Sequence, residues 1–154
     1  MTSDFEALAQ QLEKHPDYRV LRRLTPQRLI TPELAGQKLC RGVVLDTETT
    51  GFDVENDRVI ELGMLLFEFD PVSGVIHQVL EVFDELEDPG FEIPPASIAV
   101  HHITDDMVRG KRIDDAQVAN FLKNVDVVIA HNAAFDRPFV EARWPLFETL
   151  NWGC

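Results

Sequence analysis

The chain is poor in cysteine: only Cys40 and Cys154 occur in 154 residues, far apart and outside any CxxC. That spacing argues against a disulfide framework and against a cysteine-ligated zinc site, and makes a reducing, cytoplasmic location the default expectation. No apolar run approaches the roughly 20 residues that span a bilayer, so no membrane partner is expected. The N-terminal stretch from Met1 to Lys14 is acidic and has no apolar core of the secretory kind. Basic charge is also scarce. Fourteen Lys and Arg stand against 27 Asp and Glu, for a net charge of −13. A protein that coats nucleic acid non-specifically should instead present a basic surface. There are no internal repeats and no low-complexity segments.

What is present suits one globular domain with an N-terminal appendage. Hydrophobic residues make up 45% of the chain, enough for a packed core. Charge is unevenly placed. Residues 1–41 hold seven basic and five acidic side chains, for +2, whereas residues 42–154 hold seven and 22, for −15. Residues 1–41 therefore read as an N-terminal helical appendage, and 42–154 as the main domain. The cluster Arg19, Arg22, Arg23 and Arg28 is expected to be a solvated face or to pair with acidic neighbours, with phosphate contact as the alternative.

Periodicity predicts the elements. Phe5, Leu8 and Leu12 mark a helix over 3–14, and a second short helical piece is expected over 18–24. Val43 to Thr47 reads as a buried strand. Arg58 to Phe69 is a second strand and Val75 to Asp84 a third, joined by a tight turn and therefore antiparallel. Asp88-Pro89-Gly90 and Pro94-Pro95 bracket a loop. Short helices follow from Thr104 to Gly110 and from Ala116 to Lys123. Val125 to Ala130 is a fourth strand reached by a helical crossover, hence parallel to the first. Asn132 is expected to cap the next helix, which Pro145 ends. Residues 146–154 show no clear element. The fold class is α/β, with three antiparallel strands and then a parallel one.

Chemistry concentrates at two strand ends. Asp46-Thr47-Glu48 closes the first apolar run. Strand side chains alternate, so Asp46 and Glu48 share a face. Paired carboxylates on apolar footing are tolerated when they hold a metal, and an all-oxygen set suits Mg²⁺ or Mn²⁺. The same residues also read as a strand ending in a polar turn, where Asp and Thr are common. The second cluster, His131-Asn132-Ala133-Ala134-Phe135-Asp136, lies where the fourth strand gives way to a helix. In open α/β sheets, ligands gather outside the carboxyl ends of parallel strands. Asp136 is therefore expected to face Asp46 and Glu48, although an Asp near a helix N-terminus is also ordinary dipole chemistry. Glu61 reads as structural, and His15, His77 and His102 as surface or loop residues.

Taken together, Asp46-x-Glu48-Thr49-Thr50-Gly51 and Asn132-x-x-Phe135-Asp136 resemble the first two motifs of the DnaQ-like, DEDDh-type 3′–5′ exonucleases. Val100-His101-His102-Ile103-Thr104-Asp105-Asp106-Met107 resembles a third segment of that family, V-H-G-I-T-D-E-M, with His102 in place of Gly. Ile60-Glu61-Leu62-Gly63 fits its second strand. The resemblance covers 42 to about 145 and implies a ribonuclease H-like fold that hydrolyses phosphodiester bonds at 3′ ends. It implies two divalent ions, about 3.5–4 Å apart in such sites. Asp46 would bridge both, Glu48 would bind the ion that activates water, and Asp136 would support the second. Thr49, Thr50 and Gly51 would lie along the terminal nucleotide, and His101, Asn132 and Phe135 would border its sugar and base. A single-stranded DNA or RNA 3′ end is the implied substrate, and a DNA polymerase a possible partner.

One family motif has no counterpart. The family's general-base His, with an Asp five residues later on a final helix, finds no match here. His101 with Asp106 and His131 with Asp136 have that spacing, but each already belongs to another segment. The chain is therefore expected to be the N-terminal portion of the fold, C-terminally incomplete and inactive or weak as it stands. Its fourth strand is expected to be an exposed edge open to self-association. The alternatives are a catalytically inactive nucleic-acid or protein binding module of the same fold, and a simple acidic cation-binding domain.

Overall fold

The fold was read from a computed structural model, which describes residues 4–21, 31–34, 36 and 38–154. Helix α1 is Asp4–Glu13. Its apolar stripe is open to solvent, with Phe5 83% and Leu8 54% exposed. The second helical piece is not seen over 18–21, which are irregular. Arg22, Arg23, Arg28 and the rest of that piece lie outside the described residues, and Arg19 is exposed.

The main body is a five-stranded mixed sheet. Strands β1 (Cys40–Thr49), β2 (Val59–Phe69) and β3 (Ile76–Leu86) form an antiparallel meander. Helices α2 (Pro95–His101), α3 (Asp105–Val108) and α4 (Asp115–Phe121) follow. Strand β4 (Val127–Ala130) then returns parallel to β1, and α5 (Ala133–Arg143) leads to β5 (Trp152–Gly153). The sheet order is β3-β2-β1-β4-β5. The expected α/β architecture of three antiparallel strands and a parallel one is present, with one strand added.

That added strand corrects two expectations. The tail is not featureless, and β4 is not an edge. Val128 and Ile129 pair with Trp152 and Gly153. Two residues leave no alternation to read, so tertiary contacts define this strand. Asn151 Nδ2 donates to the Asp126 carbonyl at 2.9 Å, and Trp152 Nε1 donates to the Phe147 carbonyl at 3.3 Å. At the other edge, the Thr31 N–H donates to the His77 carbonyl (3.0 Å) and its hydroxyl to the Ile76 carbonyl (2.7 Å). His77 Nδ1 meets the Thr31 carbonyl at 2.6 Å. His77 is thus a buried strand residue and not a surface one.

Helix α2 begins where Pro94-Pro95 closes the expected loop and fills a stretch to which the sequence pattern assigns no element. Pro95 occupies the first turn, where a missing N–H costs nothing and a fixed φ favours the helix. His102 ends α2 in the left-handed region, with φ +64°. That is the position where the resembled segment has Gly, the residue that adopts this backbone without strain.

The two faces of the sheet differ. Val43, Leu45, Leu62, Met64 and Phe83 join Val118, Phe121, Phe139, Val140 and Phe147 in the principal core. A smaller core gathers Ile60, Ile93, Ile103 and Val108 beneath α2 and α3. The opposite face, bare by comparison, leaves Val44 46% and Val82 62% exposed, with Phe67 buried over Gly42 at its far end. Among the described residues no helix is long and apolar enough to cross a membrane.

Candidate functional site

Leu45 pairs with Ala130 in the parallel ladder, so Asp46 and His131 leave the sheet at the same end. Alternation along β1 puts Val43, Leu45 and Thr47 on the covered face and Val44, Asp46 and Glu48 on the bare one. Asp46 is exposed and Glu48 half-buried. Glu48 stands opposite Glu61, and Asp46 opposite Gly63, which in turn pairs with Asp84. Four acids thus share the bare face. Burial raises the Glu48 carboxyl, and Asp46 and Asp136 raise it further by repulsion. Glu61 is raised by burial and then by Asp84, Glu48 and Asp46. Glu61 therefore sits in the electrostatic field of the motif.

Asp136 reaches β1 differently. It is 2% exposed and lies on the first turn of α5. Its Oδ1 accepts from the Thr47 N–H at 3.0 Å and from the Thr47 hydroxyl at 2.8 Å. Burial raises its carboxyl, the Thr47 hydroxyl opposes that rise, and Asp46 adds to it. Asp136 is thus charge-coupled to the pair but approaches through the residue between them, from the covered side. The described residues hold no group of three His, Cys, Asp or Glu close enough to grip one metal ion. Asp46, Glu48, Glu61 and Asp84 put their carboxylates on the bare face, with Asp136 held behind Thr47.

The turn after β1 is locked from within. The Thr49 hydroxyl donates to the Gly51 carbonyl at 2.6 Å, and the Thr50 hydroxyl to Asp57 Oδ1 at 2.9 Å. Thr50 is 1% exposed. Its hydroxyl also accepts from the Arg58 N–H at 3.0 Å, and the Ser97 hydroxyl donates to its carbonyl at 2.7 Å. Both threonine hydroxyls are spent on the fold, and so are the Thr50 N–H, the Thr50 carbonyl and the Gly51 carbonyl. A side chain at Gly51 would overlap the Asp57 carboxylate. Gly51 is therefore required by Asp57, whatever else approaches it.

His101 is half-buried on α2. Its Nδ1 accepts from the Ile103 N–H at 3.0 Å. Its Nε2 is the buried side-chain polar atom left without a partner among the described residues, a state that costs about 1–3 kcal/mol. Burial and then His102 lower its pKa, which favours the neutral ring. Asn132 adopts φ +56° and makes no side-chain cap, contrary to expectation; the left-handed backbone carries the chain into α5 instead. Phe135 lies between Phe52, which it meets edge-on at 5.9 Å, and Phe139, tilted at 5.2 Å. Of the His–Asp pairs, Asp106 is tied to Arg109 at 2.8 Å, and His131 is exposed.

Four contributors escaped sequence reasoning: Thr47, Asp57, Ser97 and Phe52. Phe52 is 89% exposed directly after the motif. A large aromatic in a polar turn is the signal that could have found it. Thr47 was legible from alternation, which opposes it to its acidic neighbours.

Known proteins place this site in a family. DNA polymerase III subunit epsilon from Treponema pallidum is 39% identical over 103 residues, covering 66% of this chain and 45% of that protein. DNA polymerase III PolC-type from Clostridium perfringens is 36% identical over 101 residues, covering 64% of this chain and 6% of that one. The chain thus spans less than half the length of these relatives. Exonuclease I of E. coli, solved with a dT13 oligonucleotide, superposes with a TM-score of 0.52 at 19% identity, over 66% of this chain and 23% of that one, and shares its fold. The sequence model of the RNase_T family, described as Exonuclease, matches residues 43–147, and the chain belongs to that family.

Proposed function

We propose that residues 42–154 carry the site of a metal-dependent 3′–5′ exonuclease acting on single-stranded DNA or RNA, with residues 1–41 as an appendage. The observation that carries this reading is the Asp46–Glu48 pair at the carboxyl end of β1, with Glu48 raised by burial and by both neighbouring acids. Such a pair is deficient in positive charge, and its donors are all oxygen, which fits Mg²⁺ or Mn²⁺. Asp46 and Glu48 would hold the ion directly, and Asp136, fixed by Thr47, would steady its surroundings. A divalent ion there would lower the pKa of bound water and neutralise the leaving oxygen. The exposed ring of Phe52, backed by Phe135, offers a face on which a terminal base can stack. The polymerase III relatives make a DNA polymerase the proposed partner of the whole protein.

His101, by its pose, supplies no free imidazole base to that arrangement. The one lone pair of neutral His101 already accepts from Ile103. Absence of a positioned base lowers a hydrolytic rate by about 10²–10⁴-fold. This observation favours a second reading, a module that holds a 3′ end without cutting it. Release of mononucleotides from a 5′-labelled single strand, dependent on Mg²⁺ or Mn²⁺ and abolished by Asp46→Ala, is the expected result. Oligonucleotide binding that needs Asp46 but yields no product would select the second reading. Binding unaffected by Asp46→Ala, with no cleavage, would reject both.

A further inference from the structure

We propose that the cleft between α5 and the turn after β1 is a binding site for a phosphate group, held by Arg58 and Arg112. The cleft has a volume of about 490 Å³, within the range of small-ligand sites. Its lining includes Val59 and Phe139, which belong to the principal core. It therefore opens on the covered side of the sheet, whereas Asp46 and Glu48 lie on the bare face. The site is independent of the nuclease reading. Residues 42–154 hold seven basic against 22 acidic side chains. Three of those seven, Arg58, Arg112 and Arg143, come to this one cleft from three separate segments.

What the lining offers a guest is hydrogen-bond donors. Glu87 is spent on two bonds from Arg143 and one from the Ile113 N–H. Asp88 accepts from the Gly90 N–H at 2.8 Å and from the Gly110 N–H at 2.7 Å, one on each oxygen. Asp57 takes the Thr50 hydroxyl on one oxygen and the Asp53 N–H on the other. The cations are less committed. Arg58 uses Nη1 on the Glu55 and Asp57 carbonyls, at 3.2 and 2.7 Å. The Arg112 side chain is 68% exposed, and its ion pair with Glu87 is 3.7 Å long, beyond hydrogen-bond reach. A phosphate group presents accepting oxygens, and the forked guanidinium geometry matches them. Glu55, exposed at the rim, opposes such a guest by charge.

The test uses the full chain in EDTA, so that no metal ion contributes, with inorganic phosphate and thymidine 5′-monophosphate as probes and calorimetry as the readout. Both are expected to bind, more weakly as salt is added. Tighter binding of thymidine 5′-monophosphate assigns the apolar lining to its sugar or base; equal binding makes the guest a free phosphate. Arg112→Ala should weaken either probe about tenfold, the worth of a charge-assisted hydrogen bond. Glu55→Gln should tighten it about two- to fivefold, since the rim charge is gone. Both positions are exposed, so neither change should disturb the fold. Should Arg112→Ala fail to fold, Glu55→Gln decides. Binding of neither probe without metal, or binding that both variants leave unchanged, overturns the site. Binding that appears only with Mg²⁺ and is lost in Asp46→Ala belongs to the motif; it overturns the cleft and leaves the nuclease reading standing.

Discussion

Asp136 and Thr47 meet through a single oxygen: Oδ1 of the acid takes both the N–H and the hydroxyl of Thr47, at 3.0 and 2.8 Å. One residue of β1 thereby fixes the helix-borne acid, while its neighbours on either side, Asp46 and Glu48, point to the bare face. The motif works as three consecutive positions with two jobs. The outer two present oxygen, and the middle one anchors the third acid from behind.

Thr47→Val preserves shape and keeps the backbone donor but removes the hydroxyl. A hydrogen bond to a buried charged group is worth about 1.5–3 kcal/mol, so the urea midpoint should fall accordingly. The sign with pH follows from the raised Asp136 carboxyl, which the variant raises further. A carboxyl raised on folding gives stability that is present at low pH and is lost as pH rises through its folded-state pKa. The variant's defect should therefore be largest at neutral pH and shrink on acidification. A defect constant across pH would mean that the hydroxyl acts by packing alone.

Glu48 extends the argument to metal. Its carboxyl is raised by burial, Asp46 and Asp136, so its ionised form is unfavourable in the metal-free fold. Glu48→Gln should raise the melting temperature at neutral pH without metal by a few degrees, as removal of functional strain commonly does. The gain should vanish at acidic pH, where the parent Glu48 is already protonated. Mg²⁺ should stabilise the parent at neutral pH by mass action and stabilise the variant less. Thermal melts at two pH values, with and without Mg²⁺, check all three. Equal Mg²⁺ shifts for both proteins would remove Glu48 from the cation site.

Much of this was legible in the sequence, and the parts that were not have physical causes. The β1–β3 meander and β4 followed from apolar runs and tight turns. The acids of the motif followed from alternation. Helix α2 escaped because Pro94-Pro95 signals a break, although a proline in a first helical turn starts a helix equally well. β5 escaped because Trp152 and Gly153 carry no strand pattern and are ordered by β4. The site was misjudged in the same way. Spacing showed that three acids come to one end of the sheet, but not that Thr47 would draw Asp136 to the covered side. Side-chain commitments such as Ser97 to Thr50 depend on tertiary contact, and no local pattern encodes them.

Gly51 gives a sharper separation between fold and ligand. A methyl group there would overlap the Asp57 carboxylate, which holds the Thr50 hydroxyl and the Asp53 N–H. Gly51→Ala should destabilise by about 1–3 kcal/mol, the usual range for overpacking. Asp57→Ala removes the obstacle and should make a second change at Gly51 nearly neutral. A double-mutant cycle of urea midpoints reads the coupling directly. Additive effects would show that Gly51 is needed for something other than Asp57.

The last prediction concerns what holds α5, and with it Asp136, against the sheet. Glu87 is 6% exposed. It receives Arg143 Nε at 2.7 Å and Nη2 at 3.0 Å, and also accepts the Ile113 N–H at 3.1 Å. Arg143 continues to Asp115 at 2.9 Å and lies over the Trp144 ring at 4.5 Å. Removing one partner of a buried pair leaves an uncompensated charge, at a cost of about 3–5 kcal/mol. Arg143→Met should incur that loss, because the Ile113 N–H and Arg112, 3.7 Å away, satisfy Glu87 only in part. Arg143→Met with Glu87→Gln should recover much of it, since no buried charge then remains. Any cleavage or nucleotide binding should fall with the single variant and return with the double, because Asp136 rides on the same helix. If stability returns but binding does not, Arg143 itself touches the ligand.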